Sequence, residues 1–533
     1  FLGYDQKTTQ VFEGIIVKHA ISLRDGFELK PWRSLLTLGC ADKAIKLTNS
    51  FTTTIYEDKK DSEMITSLIS SADSSIKKDI KVTKVKYPFL PKYDINDWDF
   101  ILERAKINGL VVINSDNSIT IDQPKCKETK PILEITHGDN TLNFEGTIDA
   151  SSQFGDLTFF SWDSFNDKQL KSKAKEPTNT KNGDLKGADL SKSTSAKKTN
   201  LNIPHIIDSA ELGELSNSFL LESRLKQITG TIKVKGVASV KLSSLIKLVG
   251  FGKRFDGSIF VSSISHQLES GLSTSIIGFG LKKEFFNLKK STNQINFISN
   301  INGIHIGIVT KIDKDPENQN RIKVSIPSLN DPEKKSDGGI SIWAQLTHFY
   351  TSKEAGSFFI PEVDSQVVVS FLANDPRQPV ILGGLYTKTN KPYTSIEKEN
   401  NLKAFVSKNK LTLEFNEEEN KISISTPNKN SIVISEKDKS ITITDENENK
   451  IVTSAKGIAI DSNKKISLTS KDKITISGAK GVQIDGKSGS GVVVNGNNIN
   501  LKAQIKLLAK GGSGADLEAS GPVNVKGATV NIN

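Results

Sequence analysis

The sequence predicts a mainly β protein with few helices, a small barrel in its middle, and a C-terminal β-helix formed by three intertwined chains. Three observations lead to this fold class. Short alternating apolar and polar runs, separated by turn residues, occupy most of the 533-residue chain. Five such runs lie between residues 303 and 388, at spacings that suit a small barrel. From about Leu402 onward, Ile and Val recur in a regular repeat.

Composition places the chain among globular proteins long enough for about three or four domains. It is 36% hydrophobic and 25% charged. It contains no run of about 18 apolar residues, so we expect no membrane-spanning helix, and no signal-peptide pattern follows Phe1. The net charge of +10, from 71 Lys and Arg against 61 Asp and Glu, is scattered beside acidic residues. This favours a solvated surface over a nucleic-acid interface.

The chain has two cysteines, Cys40 and Cys126, which lie far apart in sequence. We interpret them as two buried thiols of a protein in a reducing compartment. A disulfide between them is the alternative interpretation.

Three helices are predicted among the strands and turns of residues 1–295. The first covers about Asp61–Ser71, where the apolar residues fall on one helical face. The second covers about Ile95–Asn108 and starts at an Asn-Asp pair that can cap it. The third covers about Ala210–Gln227. Residues 170–200 are rich in Lys, Ser, Thr, Asn and Gly, which predicts an exposed loop.

The repeat from residue 398 to residue 533 consists of strands of roughly four residues joined by polar or Gly turns. Each strand offers only two apolar side chains to an interior, so a single chain would leave them largely exposed. Three chains around one axis would bury them, because strands then stack on strands of the neighbouring chains. The apolar residues that begin the strands are Ile422, Ile432, Ile441, Ile451, Ile458, Ile466, Ile474, Val482, Val492 and Ile499.

The middle of the chain resembles the oligomer-binding (OB) barrel of VgrG spike proteins. The matching elements, in the family's order, are Asp315-Pro316, Arg321-Ile322-Lys323-Val324, Trp343-Ala344, Phe359-Ile360-Pro361-Glu362, Asp375-Pro376 and Gly383-Gly384-Leu385. The segments "LNFEGTIDASSQFGDLTFFSWD" and "RFDGSIFVSSISHQLESGLSTSIIGFGL" are similar to the family's phage-hub-like region. The resemblance implies hub-like β-barrels over residues 1–295, an OB-fold barrel over 300–392 and a needle over 398–533.

The resemblance also implies a function and partners. VgrG-like proteins are homotrimeric structural spikes of type VI secretion systems and related contractile injection systems. The implied partners are an Hcp-like tube protein and baseplate proteins at the hub, secreted effectors, and a PAAR-type tip protein on the needle. Carried over to this chain, the tip contact falls on Val523, Val525, Val530, Ile532 and Asn533. The spike would assemble in the bacterial cytoplasm and be injected without a signal peptide, contacting the target membrane only transiently.

No motif predicts catalysis, a cofactor or a metal, so we expect a protein that is not an enzyme. The six histidines form no H-x-H, H-E-x-x-H or Cys/His cluster. P-loop, G-x-S-x-G and dinucleotide-binding patterns are absent, and Glu417–Glu419 form a charged turn rather than an acid pair in a cleft.

Two other function classes remain as alternatives. A phage-type tailspike that degrades polysaccharide would need sugar-stacking aromatics, yet no Trp, Tyr or Phe follows Phe415. A nucleic-acid-binding barrel could stack bases on Trp343 or Phe349. The barrel has no aromatic row and few basic residues, so we predict that Trp343 lies in the barrel core.

Overall fold

The computed structural model describes residues 2–4, 7–23, 35–49, 51–124, 130–163, 166–177, 183–204, 207–269, 271–281, 300–329, 341–486 and 491–532. The chain divides into two units, Phe1–Thr394 and Ser395–Asn533. No helix in the described ranges is both long enough and apolar enough to span a membrane.

The first unit begins with sheets and helices. Its strands before the barrel are β1 (Leu2–Tyr4), β2 (Lys7–Thr9), β3 (Ile15–Ser22), β4 (Leu35–Ala41), β5 (Phe51–Lys60), β6 (Lys77–Ile80), β7 (Lys86–Asn96), β8 (Val111–Ser115), β9 (Ser118–Asp122), β10 (Leu133–Thr136), β11 (Thr141–Ile148), β12 (Asp156–Asp163), β13 (Lys168–Lys173), β14 (Lys198–Ile203), β15 (Ile228–Lys235), β16 (Leu245–Val249), β17 (Gly257–Glu269) and β18 (Leu272–Phe279). Its helices are α1 (Ile45–Thr48), α2 (Asp61–Ala72), α3 (Asp97–Ile107), α4 (Gly187–Ser193) and α5 (Ser209–Leu225).

The three predicted helices are α2, α3 and α5. The capping prediction for α3 is confirmed, since the Asn96 side chain accepts a 2.7 Å hydrogen bond from the backbone N–H of Asp99. Helices α2 and α3 pack together over a shared core with β7 and β9. Helix α5 covers the inner face of β12, where Leu212 and Leu215 meet Phe159.

Among the described residues of the first unit, the largest sheet has six strands in the order β10-β16-β17-β18-β15-β11. A second sheet, β13-β12-β14, corrects the prediction of a loop at 170–200. Strand β13 pairs antiparallel with β12, β14 pairs parallel with its other edge, and α4 precedes β14. The low apolar content misled the prediction, because edge strands and a short surface helix expose most of their side chains and tolerate Lys, Ser and Thr there.

The second cysteine, Cys126, lies outside the described residues, whereas Cys40 ends the hairpin β3–β4 as a free and exposed thiol. The prediction that Cys40 is buried is therefore wrong. A two-stranded hairpin cannot cover its own faces, so a residue on it stays accessible unless another element packs there.

The barrel closes in the strand order β19-β20-β21-β25-β24. Its strands are β19 (His305–Lys311), β20 (Ile322–Ser325), β21 (Ser341–Leu346), β24 (Gln366–Phe371) and β25 (Pro379–Leu385), with the small hairpin β22 (Thr351–Ser352) and β23 (Ala355–Gly356) inserted. The mainly β class and the small barrel are thus confirmed. The prediction for Trp343 is wrong: Ile342 and Ala344 face the core, so strand alternation directs Trp343 outward, where it is half-buried.

The structure gives a reason for the Asp315-Pro316 and Arg321 pattern of the barrel segment, because these residues form one hydrogen-bonded turn. The Asp315 carboxylate accepts hydrogen bonds from the backbone N–H groups of Glu317, Gln319 and Arg321, and it pairs with the Arg321 guanidinium at 2.7 Å. Burial by itself would raise the pKa of Asp315, but the hydrogen bonds from Arg321 and these backbone groups outweigh it and hold the pKa below its ordinary value.

A buried charge cluster joins the barrel to helix α5. Arg377, which follows β24, reaches Glu211 in the first turn of α5 and its own neighbour Asp375, both at 2.9 Å. All three side chains are less than a tenth exposed. Because desolvated charges are stable only when paired, this cluster orients the barrel against the helix.

The second unit contains one antiparallel sheet. Its strands are β26 (Leu402–Val406), β27 (Thr412–Asn416), β28 (Lys421–Ser425), β29 (Ser431–Ser435), β30 (Ser440–Thr444), β31 (Lys450–Ser454) and β32 (Gly457–Asp461). They pair in sequence order.

Candidate assembly surface on the C-terminal sheet

The sheet β26–β32 is a meander in which each strand pairs with the next one along the same chain. This corrects the expectation that these strands stack on strands of other chains. The turns between them are short enough to return the chain at once, and antiparallel neighbours need only such tight connections. Backbone hydrogen bonds between neighbouring strands therefore form within one chain. The part of the sheet that one chain leaves uncovered is its side-chain surface.

The turns repeat as regularly as the strands. On one edge of the sheet, Lys410, Lys429 and Glu448 follow one another at 19-residue intervals, and each has a left-handed φ between 63° and 66°. Side chains link successive turns on this edge: Asn430 accepts from the backbone N–H of Glu446 at 3.1 Å. The repeat of two strands and two turns thus sets a constant register along the sheet.

The register places the apolar side chains of the sheet on one face, in two rows that cross the strands. The first row is Lys403, Phe415, Ile422, Ile434, Ile441, Thr453 and Ile458. The second row is Phe405, Leu413, Ile424, Ile432, Ile443, Ile451 and Ile460. We call these two rows the apolar face. The predicted starts from Ile422 to Ile458 all belong to it, so the sequence identified this part of the surface.

Two valines within these strands do not lie on the apolar face. Val433 and Val452 follow Ile432 and Ile451 directly, and successive side chains in a strand point to opposite sides. They face the polar side of the sheet. Thr453 does lie on the apolar face, where strict alternation from Ile451 places it, although the apolar pattern of the sequence does not include it.

The apolar face is uncovered. Ile432, Ile434, Ile441, Ile443 and Ile451 are each 42–46% exposed, although they pack against one another along the rows. Monomeric soluble proteins rarely leave a contiguous apolar patch of this extent exposed, and such patches mark interaction sites. We therefore expect a binding partner to cover the apolar face.

The opposite face and the turns are polar and charged. The Lys421 ammonium pairs with Glu419, and this hydrogen bond lowers the pKa of the Glu419 carboxyl. A hydrogen bond from the Asn449 side chain lowers the pKa of Asp445 in the same way. Both carboxylates lie in turns, so they place charge along the edges of the sheet.

Residues 462–486 and 491–532 contain no backbone-paired strand. Apolar pairs such as Ile474 and Ile476 continue there and are exposed. The predicted tip residues Val523, Val525, Val530 and Ile532 are exposed as well, and Asn533 lies outside the described residues. Their tip contact stays a prediction.

The described residues contain no group of His, Cys, Asp or Glu that could hold a metal ion. The Glu417–Glu419 carboxylates lie in the turn between β27 and β28, as predicted. In the described part of the chain, the exposed apolar face is thus the feature from which function can be argued.

Two family models match the chain. The model described as "Alg8 N-terminal domain" matches residues 1–270, just over half of the chain. The model described as "Type VI secretion system/phage-baseplate injector OB domain" matches residues 305–386, which contain the closed barrel.

A curated relative is the type VI secretion system spike protein VgrG3 of Vibrio cholerae, 38% identical over 78 residues. The match covers 14% of this chain, which spans only 8% of that relative's length.

Solved structures of phage-tail and secretion proteins align with the chain. The Francisella PdpA–VgrG complex gives a TM-score of 0.45 at 12% identity, covering 83% of this chain and 66% of that one. A type VI secretion component of E. coli gives 0.40 at 11% identity, covering 70% and 83%. A prophage MuSo2 tail protein from Shewanella oneidensis gives 0.40 at 12% identity, covering 52% and 81%.

The resemblance of the barrel to VgrG spikes is thus confirmed by the matched OB-domain model and by the V. cholerae relative. The chain belongs to the family of the Alg8 N-terminal domain, and its barrel matches the injector OB domain found in type VI secretion systems and phage baseplates.

Proposed function

We propose that this protein is the homotrimeric structural spike of a bacterial contractile injection system. In this function the region before the barrel caps the tube, and the C-terminal unit is the needle that pierces a target membrane. The observation that carries the proposal is the apolar face of β26–β32, an exposed surface with two apolar rows across seven strands.

Three copies suit this face better than one or two. In a single chain the apolar face is exposed to water. Two flat sheets packed face to face would still expose the outer edges of their apolar faces. Three sheets around one axis form a closed prism whose interior is the apolar face of each copy, while the polar faces and turns point to water. Such a rod suits axial force, because no strand can leave it without exposing apolar surface.

The residues after Asp461 fit the same architecture. Their apolar pairs recur, but they form no strand pairs within the chain where the structure describes them. A strand that lacks partners in its own chain needs them from other chains. We therefore place the intertwined triple-stranded β-helix in this last part of the needle, beyond the meander.

The partners proposed for the spike follow from this orientation. A PAAR-type tip protein would cover the apolar end at Val523, Val525, Val530, Ile532 and Asn533. An Hcp-like tube protein and baseplate proteins would contact the hub region, and secreted effectors would travel on the spike. Assembly in the bacterial cytoplasm, followed by injection without a signal peptide, belongs to the same proposal.

The proposed function is mechanical, so the protein would carry no enzyme activity, cofactor or nucleic acid. The competing tailspike function gains no support, since sugar-binding aromatics are absent after Phe415. Trp343 lies outside the barrel core on β21, where its neighbour across the strand pair is Lys323, but the barrel presents no row of aromatics for bases.

The test is the mass of the purified protein, measured by light scattering coupled to size exclusion. The chain has a mass of 58.3 kDa. A species of three times this mass, elongated for its size, is the expected result. A stable monomer would remove the physical basis of the needle and refute the proposal.

A further inference from the structure

One polar side chain interrupts the interior of the apolar face. Of the two rows, only Lys403 and Thr453 are not Ile, Leu or Phe. Lys403 lies on β26, the first strand of the sheet, and its ammonium turns away to Glu417 and to the backbone carbonyl of Asn400, at 2.5 and 2.7 Å. Thr453 lies inside the row, between Ile441 and Ile458.

The Thr453 hydroxyl has no hydrogen-bond partner among the described residues. Two other hydroxyls of the sheet do have such a partner: Thr412 donates to the carbonyl of Lys410, and Ser435 donates to Asp438. In a single chain the Thr453 hydroxyl can hydrogen-bond to water, because the apolar face is exposed. Once the face is covered, water is displaced and the hydroxyl must find a protein partner or one trapped water.

We infer that three Thr453 side chains, one from each copy, meet on the trimer axis as a hydrogen-bonded polar layer that fixes the axial register of the needle. This inference rests on the trimer proposed above. Threefold symmetry places the three residues at one level, and a hydroxyl both donates and accepts. Three hydroxyls can therefore satisfy one another, directly or around a single water.

The polar layer specifies the axial register because a wrong alignment of the three chains leaves the Thr453 hydroxyls without hydrogen-bond partners. The strands on either side of this layer carry mostly Ile on the apolar face. Packing of Ile on Ile is therefore nearly as favourable in a shifted trimer as in a correctly aligned one. A copy shifted by two strands would bring Thr453 to the level of Ile434. A buried hydroxyl facing methyl groups loses its hydrogen bonds, so the shifted trimer is disfavoured at this level.

The test compares Thr453→Val with Thr442→Val, its matched control. Thr442 lies on the neighbouring strand and pairs with Val452, on the polar face. Each variant chain, and wild type carrying a distinguishing tag, would be mixed in equal amounts, refolded and analysed by native mass spectrometry. Valine keeps the shape of threonine and replaces its hydroxyl by a methyl group, so homotrimers of Thr453→Val are expected to form and melt no lower than wild type.

Mixed trimers of wild type and Thr453→Val would contain unpaired hydroxyls. We expect them to be depleted about fivefold below the binomial proportions, the effect of roughly one lost hydrogen bond. Thr442→Val should mix binomially, and so should Thr453→Ser, which keeps the hydroxyl. If Thr453→Val chains fail to assemble, Thr453→Ala against Thr453→Ser gives the same comparison.

Two failures are distinguishable. Binomial mixing of wild type with Thr453→Val in intact trimers would overturn the polar layer and leave the spike untouched. Monomers in every sample, wild type included, would overturn the trimer and with it the layer.

Discussion

The apolar face makes a sharp prediction about a single strand, β29. Ile432 lies on the apolar face and Val433, the next residue, lies on the polar face. Replacing either by Asp removes a β-branched side chain and adds the same charge to the same strand. The two substitutions therefore differ only in which side of the sheet receives the carboxylate.

The magnitude follows from the exposure of Ile432, which is 42% in one chain. Full burial of an Ile is worth about 1.5–3 kcal/mol, so covering the remaining surface contributes about 1 kcal/mol per copy. An ionised carboxylate costs several kcal/mol when buried without a partner. Three of them at one level, with mutual repulsion, cost on the order of 10 kcal/mol per trimer.

Dissociation on dilution measures this cost. Because the dissociation constant of the proposed trimer has units of concentration squared, a loss of about 10 kcal/mol raises the midpoint concentration by roughly three to four orders of magnitude. Light scattering over a dilution series should show Ile432→Asp falling towards the 58.3 kDa chain at concentrations where Val433→Asp stays trimeric. Equal behaviour of the two variants would refute the assignment of the faces.

Three further predictions concern the barrel and the needle end. Arg377→Met leaves the carboxylate of Glu211 buried without its partner and should lower the free energy of unfolding by about 3–5 kcal/mol in urea denaturation; a loss below about 1 kcal/mol would contradict the buried cluster. The folded-state pKa of Asp315 lies below its ordinary value, so its stabilising effect is complete above about pH 5 and is lost as the pH falls through and below about 4. Asp315→Asn, which also loses the ion pair with Arg321, should therefore flatten the acid limb of a thermal-midpoint profile, and an unchanged limb would argue against this carboxylate as its cause. If the proposed tip contact is correct, Val530→Asp should abolish co-purification of a PAAR-type tip protein while the mass of the proposed trimer stays unchanged; retention of the tip would exclude Val530 from that contact.

Sequence patterns were informative where local chemistry dictates the structure. Helix α3 could be predicted because its apolar period and its Asn96 cap are both local signals. The Asp315 turn matched a family pattern, and the structure supplies the cause, a carboxylate that collects three backbone N–H groups. The loop prediction at 170–200 failed because the partner of β13, strand β12, supplies the pairing that composition does not reveal.

The candidate site divides in the same way. The spacing of Ile and Val identified the strands and one apolar surface, since a two-residue alternation fixes which side chains share a face. It did not reveal that successive strands pair within one chain up to Asp461. That pairing depends on register, which is a property of two strands together.

By itself, then, the sequence determined the mainly β class, the positions of the main helices, the barrel and the repeating C-terminal strands up to Asp461, because each depends on residues close in the chain. Only the tertiary structure showed that Trp343 points out of the barrel, that Cys40 is exposed and that Arg377 forms an ion pair with Glu211. These features depend on which distant segment packs against a residue. Pairing across distant segments is set by the balance of burial and desolvation over the whole fold, which no local pattern records.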